Sequence, residues 1–194
     1  RGARVIVETF PQLQGLVARM AGVDRVVTAG DAVSRAGSGV NWRCPILSLA
    51  HRFETRPASV PSSVPYLAGD PAGAEAWHAR LQRLPAGTKI GCSWSEISAP
   101  SGESGDAPVL ELDALRGGTD AVFINVEPQR PGAESRAISA GRSLIDWSAD
   151  IRDLTDTADL VSAVDLVIGP PGPTTHLAGA MGKPTWVLLN PLRR

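Results

Sequence analysis

Two threonines and a histidine stand side by side near the end of this 194-residue chain, within the stretch "DLVIGPPGPTTHLAGAMG". Thr174, Thr175 and His176 fall in the predicted first turn of a helix, because a proline precedes them at its start. Gly172 comes just before and can adopt backbone angles that other residues cannot. Free N–H groups and the positive dipole end of such a helix favour phosphate. A plain helix start with a structural histidine fits equally well, and one threonine could serve only as a cap.

Other polar residues follow predicted strands or open predicted helices. Ser93 and Ser95 come after the run "KIGC", and Glu127 ends "FINVE". Asp156 and Thr157 begin "DTADL", where an Asp-Thr pair can also be explained by helix capping alone. Ligands bind at the carboxyl ends of parallel strands, so these residues are candidates for nucleotide contacts. Glu127 could hold a base or a ribose, and a solvated loop acid is the alternative.

Short apolar runs predict the sheet that would position these residues. The five runs are "KIGCSW", "AVFINV", "SLIDW", "DLVIG" and "TWVLL". They are continuous rather than alternating, which is typical of parallel strands buried on both faces between helices. Before the first run, Asp70 is predicted to cap a helix that extends to about Leu84.

The N-terminal part predicts a second α/β unit with fewer strands. "ARVIVET" and "DRVVTAG" are predicted strands, joined by a helix from Pro11 to Gly22. "CPILSLAHRF" is an apolar element whose type the pattern leaves open. The segment from Pro57 to Ala74 is rich in proline, serine and glycine and is the best candidate linker. We therefore expect one domain over residues 1–68, linker included, and another over 69–194.

Composition argues against several functions. The net charge is −1 and no basic run occurs, which argues against nucleic-acid binding. No apolar run approaches the roughly 18 residues of a membrane-spanning helix, and no signal peptide opens the chain. Cys44 and Cys92 lie in or beside apolar runs, so buried thiols are expected rather than a disulfide or a metal site. We expect a cytoplasmic protein without cofactor or metal, and the strand at the very start suggests a piece of a larger protein.

Several of these segments, in this order, resemble one family. They are "GARVIVETFPQL", "CPILSL", "SVPYL", "KIGCSWS" and the unbroken block from Leu144 to Asn190. The family is the bacterial glycosyltransferases associated with tetratricopeptide repeats, which are related to heptosyltransferases and more distantly to O-GlcNAc transferase. The resemblance covers nearly the whole chain and is strongest in the last block, although no single motif there is diagnostic.

The resemblance implies an α/β, GT-B architecture of two Rossmann-like domains with parallel sheets. The N-terminal, acceptor-side domain would be incomplete in this chain, and the C-terminal domain would bind a nucleotide-sugar donor. The helix "PTTHLAGAMG" would face the donor phosphates, "DTADL" would lie beside the nucleotide, and "CSWS" would face the cleft. The implied reaction is metal-independent transfer of a hexose or a nonulosonic acid to a protein acceptor, such as flagellin.

The sequence also departs from the family pattern. Members usually carry an Asp-Thr or Asp-Ser pair just before the helix, where this chain has Pro171 and Gly172. The loss of an acid favours either a different donor, such as a CMP-linked acidic sugar, or an inactive module that binds a nucleotide or a partner. A sugar-nucleotide epimerase is a third alternative, and the segment order argues against it. No catalytic base can be assigned, because the resemblance places the candidate acid and the repeats before Arg1.

Overall fold

The computed structural model describes residues 2–28, 30, 40–93, 120–128 and 144–189. The chain divides into two compact units, Arg1–Val64 and Pro65–Arg194. The division falls inside the segment rich in proline and serine that follows residue 57. Each unit contains a parallel sheet of its own.

The first unit is built around two parallel strands. Both predicted strands are present, and β1 (Ile6–Thr9) pairs with β2 (Arg25–Thr28). A 3-10 turn, Pro11–Leu13, and helix α1, Gln14–Ala18, connect them. The helix ends before the predicted Gly22, whose φ of +85° lies in the turn that returns the chain to β2. Glycine accepts this angle without strain, which explains its place there.

The apolar segment of undetermined type is helical. A 3-10 turn, Ile46–Ser48, continues directly into helix α2, Leu49–Arg52. A further 3-10 turn, Pro57–Ser59, lies within the predicted linker.

The second unit carries the five predicted strands, and all five predictions are confirmed. In chain order its elements are α3 (Pro71–Leu81), β3 (Lys89–Cys92), β4 (Val122–Asn125), β5 (Leu144–Asp146), a 3-10 turn (Ser148–Asp150), α4 (Leu154–Ala163), β6 (Leu166–Gly169), α5 (Pro173–Ala180) and β7 (Thr185–Val187). The strands are parallel and stand in the order β5-β4-β3-β6-β7. Within this unit the chain therefore enters the sheet at its central strand, β3. It adds β4 and β5 on one side and then crosses to β6 and β7 on the other, so the strand order reverses between β3 and β6.

Alternation along the strands separates the core into two layers. One face carries Ile124, Val126 and Val167, and residues of α3, α4 and α5 pack on it. The opposite face carries a second cluster of buried residues: Ile90, Cys92, Phe123 and Ile168. Burial on both faces explains why these strands read as continuous apolar runs.

The helix starts confirm one cap and correct another. The Asp70 carboxylate accepts a hydrogen bond from the Gly73 N–H at 3.2 Å, so the predicted cap of α3 is confirmed, although α3 ends at Leu81 rather than near Leu84. Helix α4 is capped by Asp153, which accepts from two backbone N–H groups. The prediction that Asp156 opens this helix is wrong, because Asp156 lies inside its first turn.

Three expectations from composition can be compared with this structure. Cys92 is buried, but Cys44 is exposed, so the prediction of burial is wrong for Cys44; both are free thiols. Among the residues that the structure describes, no helix is long and apolar enough to cross a membrane. Within the same residues, no group of three or more His, Cys, Asp or Glu side chains could hold a metal ion.

Candidate functional site

The strand order of the second sheet reverses between β3 and β6. In open α/β sheets, ligands bind outside the carboxyl ends of the strands at the point where the strand order reverses. Ser93 follows β3 and its N–H donates to the Ile168 carbonyl of β6 at 2.9 Å. Gly169 ends β6, and a Cβ built there would lie 2.8 Å from the Ser93 Cβ. Glycine at residue 169 therefore permits the close approach of the two strand ends.

The turn from β6 into α5 is held together by Thr175. Its hydroxyl oxygen accepts a hydrogen bond from the Gly172 N–H at 3.0 Å. The same hydroxyl lies 2.9 Å from the Pro170 carbonyl and 3.0 Å from the Gly172 carbonyl, and it donates to one of them. Gly172 has an extended backbone with φ of −171°, so it does not use the glycine-specific angle that the sequence suggested. Gly172 is buried.

The first turn of α5 presents hydrogen-bond donors for which the described part of the chain offers no acceptor. The backbone N–H groups of Thr174 and Thr175 have no hydrogen-bond partner within the described ranges. The Thr174 side chain is only 3% exposed, and its hydroxyl also has no partner among the described residues. A buried polar group without a partner costs about 1–3 kcal/mol. Together with the positive end of the helix dipole, these donors form a cradle suited to an anion.

His176 occupies the next position of the same helix. Its backbone N–H donates to the Gly172 carbonyl at 3.0 Å, which closes the first helical hydrogen bond. Its side chain is exposed, unlike those of the two threonines before it. An exposed imidazole at a helix N-terminus can donate a hydrogen bond to a phosphate oxygen without losing a structural contact.

Four polar residues form a chain of hydrogen bonds across the ends of β3, β4 and β5. The Ser93 hydroxyl donates to Glu127 Oε1 at 2.6 Å, and both side chains are buried. The Glu127 N–H donates to Asn125 Oδ1 at 3.0 Å. The Asn125 amide in turn donates to Asp146 Oδ1 at 3.0 Å. Ser93 and Glu127 were predicted from the sequence, whereas Asn125 and Asp146 were missed.

The missed pair had one signal in the sequence. Asn125 and Asp146 are polar residues at the ends of apolar runs, and they stand opposite each other in the parallel register. Burial would raise the pKa of the Asp146 carboxyl, but hydrogen bonds from the Ser148 N–H, the Asn125 amide and the Ser148 hydroxyl lower it below 3.8. Asp146 is therefore an anion at neutral pH that fixes the Asn125 amide.

The first turn of α4 lies at the same edge of the sheet, because α4 follows β5. Asp156 is 9% exposed, and it accepts hydrogen bonds from the Arg152 guanidinium at 2.7 and 2.8 Å. The hydrogen bond and charge of Asp156 raise the pKa of the exposed Arg152. Thr157 is fully buried, and its hydroxyl donates to the Asp153 carbonyl at 3.2 Å. Both side chains thus have structural partners inside this turn.

The structure brings most of the predicted site residues to one edge. Ser93, Glu127 and the residues from Gly172 to His176 follow strands whose carboxyl ends are adjacent. Ser95 lies outside the described residues. The ammonium group of Lys183 donates to the Val164 carbonyl at 2.8 Å, at the end of α4. Lys183 lies at the opposite end of α5 from the N–H groups of Thr174 and Thr175.

Comparisons with known proteins add the following findings. No protein-family model matches the chain. Protein FlbA of Caulobacter vibrioides is 32% identical over 133 residues, which is 63% of this chain and 22% of FlbA. The solved structure of the E. coli ADP-heptose lps heptosyltransferase II is similar with a TM-score of 0.64 at 10% identity, covering 95% of this chain and 75% of that chain.

These findings establish the fold. The chain has a GT-B-like α/β fold with parallel sheets, as the resemblance implied. At 10% identity, the likeness to the heptosyltransferase does not carry its substrates over to this chain. The chain spans about a fifth of the length of FlbA, 22%.

Proposed function

We propose that this chain is part of a glycosyltransferase that moves a sugar from a nucleotide-sugar donor to an acceptor. The domain at 69–194 would bind the donor, and the domain at 1–68 would face the acceptor. The proposal is supported by the GT-B-like fold and by the strand reversal between β3 and β6. The observation that carries it is the anion cradle, which consists of the N–H groups of Thr174 and Thr175 and the buried Thr174 hydroxyl.

The cradle would bind the phosphate groups of the donor. In sugar transfer the nucleotide leaves as an anion, so charge develops on a phosphate oxygen as the glycosidic bond breaks. Fixed N–H dipoles at a helix N-terminus stabilise such charge without reorganising. His176 would add a donor from the surface side of the same turn. This chemistry needs no metal ion, in keeping with the family that the sequence resembles.

The remaining candidates would surround the nucleoside. Glu127, at the end of the second strand of this unit, would hold the ribose or the base. The first turn of α4, with Asp156 and Thr157, would lie beside the nucleotide and contribute through its shape, since its polar side chains already have partners. Ser95 is proposed as a further contact to the nucleotide-sugar donor from the sequence alone.

The acceptor, the sugar and the location in the cell are proposed from the resemblance to the repeat-associated glycosyltransferases. We propose a cytoplasmic enzyme that acts on a protein acceptor, with flagellin as the first to test, and that carries tetratricopeptide repeats elsewhere in its chain. The sugar would be a hexose or a nonulosonic acid. A donor of the second kind is favoured by the absence of any acidic residue from Gly169 to His176, since an acidic sugar would meet no repulsion there.

One observation favours a second candidate function. Pro171 and Gly172 stand where the family that the sequence resembles carries an acid and a hydroxyl residue just before the helix. If that acid is needed for transfer, the unit would hold a nucleotide or a partner without catalysis. Binding alone would then be the function of this site.

Donor binding can be tested by isothermal titration calorimetry on the full-length protein. UDP, GDP, ADP and CMP are titrated first, followed by sugar conjugates of any nucleotide that binds. We expect one nucleotide to bind and His176→Ala to weaken it about tenfold, as for loss of a hydrogen bond to a charged group. His78→Ala is the matched control, because His78 is also exposed on a helix of the same unit, away from the sheet edge.

The outcomes separate the proposals. Binding that His176→Ala weakens and His78→Ala does not supports the donor site. Binding followed by transfer of the sugar to an acceptor supports the enzyme, whereas binding without transfer or donor hydrolysis supports the inactive module. If none of the four nucleotides and none of their sugar conjugates binds, the donor-site proposal is wrong.

A further inference from the structure

The carboxylate of Glu127 is buried at the strand reversal and is held by its neighbour. Glu127 is 6% exposed and Ser93 only 1%. The Ser93 hydroxyl is 2.6 Å from Glu127 Oε1 and donates to it. A serine hydroxyl has one proton, and donating it to Glu127 leaves none to donate to a ligand. The sequence suggested Ser93 as a donor contact, and the geometry gives it a different role.

The backbone of Glu127 is fixed as firmly as its side chain. Its N–H donates to Asn125 Oδ1, and the Asn125 amide is oriented by Asp146. Asp146 itself accepts from the Ser148 N–H at 2.9 Å. Because each member of this chain orients the next, the carboxylate has little freedom to rotate away.

Gly169 restricts Ser93 in turn. A Cβ at residue 169 would lie 2.8 Å from both the Cβ and the carbonyl oxygen of Ser93, and 3.2 Å from its hydroxyl. The serine side chain thus fills the space that the glycine leaves open. Among the described residues, the Ser93 hydroxyl has one hydrogen-bond partner, the Glu127 carboxylate.

We propose that Ser93 is a positioning residue, which holds Glu127 so that its carboxylate accepts hydrogen bonds from the vicinal hydroxyls of a ribose. This inference rests on the proposed donor site. A carboxylate only accepts hydrogen bonds, and a ribose diol offers two donors. An acid at the end of the second strand of a Rossmann-like unit lies where a ribose hydroxyl is read. Ser93 would therefore determine the preference for ribonucleotides over 2′-deoxyribonucleotides.

Calorimetry with paired nucleotides tests this role on the full-length protein. The probe is whichever of UDP, GDP, ADP and CMP binds the wild type, together with its 2′-deoxy analogue. We expect Ser93→Ala to weaken the ribonucleotide about tenfold and to leave the 2′-deoxy analogue unchanged. Ser93→Cys keeps the shape of the side chain at a somewhat larger size, with a weaker donor, and should show an intermediate loss. Ser162→Ala is the matched control, because that hydroxyl bonds within α4 to the Ala158 carbonyl.

A merely structural role would give a different pattern. If Ser93→Ala and Ser93→Cys weaken both nucleotides equally, as a misfolded site would, the positioning role is overturned. A wild type that binds the 2′-deoxy analogue as tightly as the ribonucleotide also overturns it, and the donor site stands. A wild type that binds no nucleotide removes both proposals.

Discussion

Thr175→Val removes the hydroxyl that organises the turn into α5 with little change in side-chain volume. The buried Gly172 N–H loses its acceptor, and a carbonyl of Pro170 or Gly172 loses its donor. A buried N–H without a partner costs about 1–3 kcal/mol, and a lost helix cap costs about 0.5–2 kcal/mol. Both figures describe the same bonds and do not add. We expect the unit Pro65–Arg194 to lose about 2 kcal/mol of unfolding free energy.

Urea denaturation measures this loss. The transition of this unit can be followed by near-ultraviolet circular dichroism, because Trp77 and Trp147 are stacked with ring centres 5.6 Å apart. With a urea dependence of about 1–3 kcal/mol per molar, the midpoint should fall by roughly 1 M and the slope should not change.

Two further variants make this prediction refutable. Thr175→Ser keeps the hydroxyl and should retain most of the stability. Thr185→Val removes a half-buried hydroxyl that donates only to the Lys183 carbonyl, and it should cost about 1 kcal/mol or less. A wild-type midpoint for Thr175→Val, or an equal loss for Thr175→Ser, would show that the hydroxyl does not stabilise the turn.

Two other predictions concern the thiols and the start of α4. Burial raises the pKa of Cys92 from 9.0 to about 12, so a thiol reagent at pH 8 should modify one cysteine, Cys44, in the native protein and both in urea. Because the pKa of this thiol is higher in the folded state, its contribution to the unfolding free energy is complete below pH 9 and is lost as the pH rises towards 12. Cys92→Ala should lack this alkaline loss of stability. An identical pH dependence of the unfolding free energy in wild type and variant would contradict the prediction. Asp153→Ala should cost about 1 kcal/mol in urea unfolding and Asp153→Asn much less, whereas equal losses would point to charge rather than capping.

Much of the second unit was predictable because its strands are buried on both faces. Runs such as "VFIN" and "LVIG" carry no polar residue until the strand ends, so their pattern has few other interpretations. The helix start at α4 was not predictable in the same way. Asp153, Asp156 and Asp159 all lie near it, and each could cap a helix. Asp153 caps, Asp156 pairs with Arg152, and Asp159 accepts from the distant Asp70 N–H at 2.5 Å.

The site was predictable only as far as local pattern reaches. The helix start at Thr174 follows from the proline before it and the strand before that. The contact of Ser93 with Glu127 joins residues 34 positions apart and depends on the register of β3 with β4. Cys44 shows the converse, since apolar neighbours do not establish burial: Ile46 and Leu47 are themselves 76% and 93% exposed.

In the proposed donor site, the Pro-Pro-Gly turn bears differently on binding and on chemistry. Pro170 and Pro171 have no N–H, so the donors of the cradle come from Thr174 and Thr175 alone. A carboxylate at the position of Pro171 would repel a phosphate, and its absence leaves the positive end of the helix dipole uncompensated. The same absence removes an acid that could take part in transfer. The Pro-Pro-Gly sequence therefore suits the proposed anion binding at this turn and supplies no acid there, so donor affinity and turnover can be measured as separate properties of the proposed site.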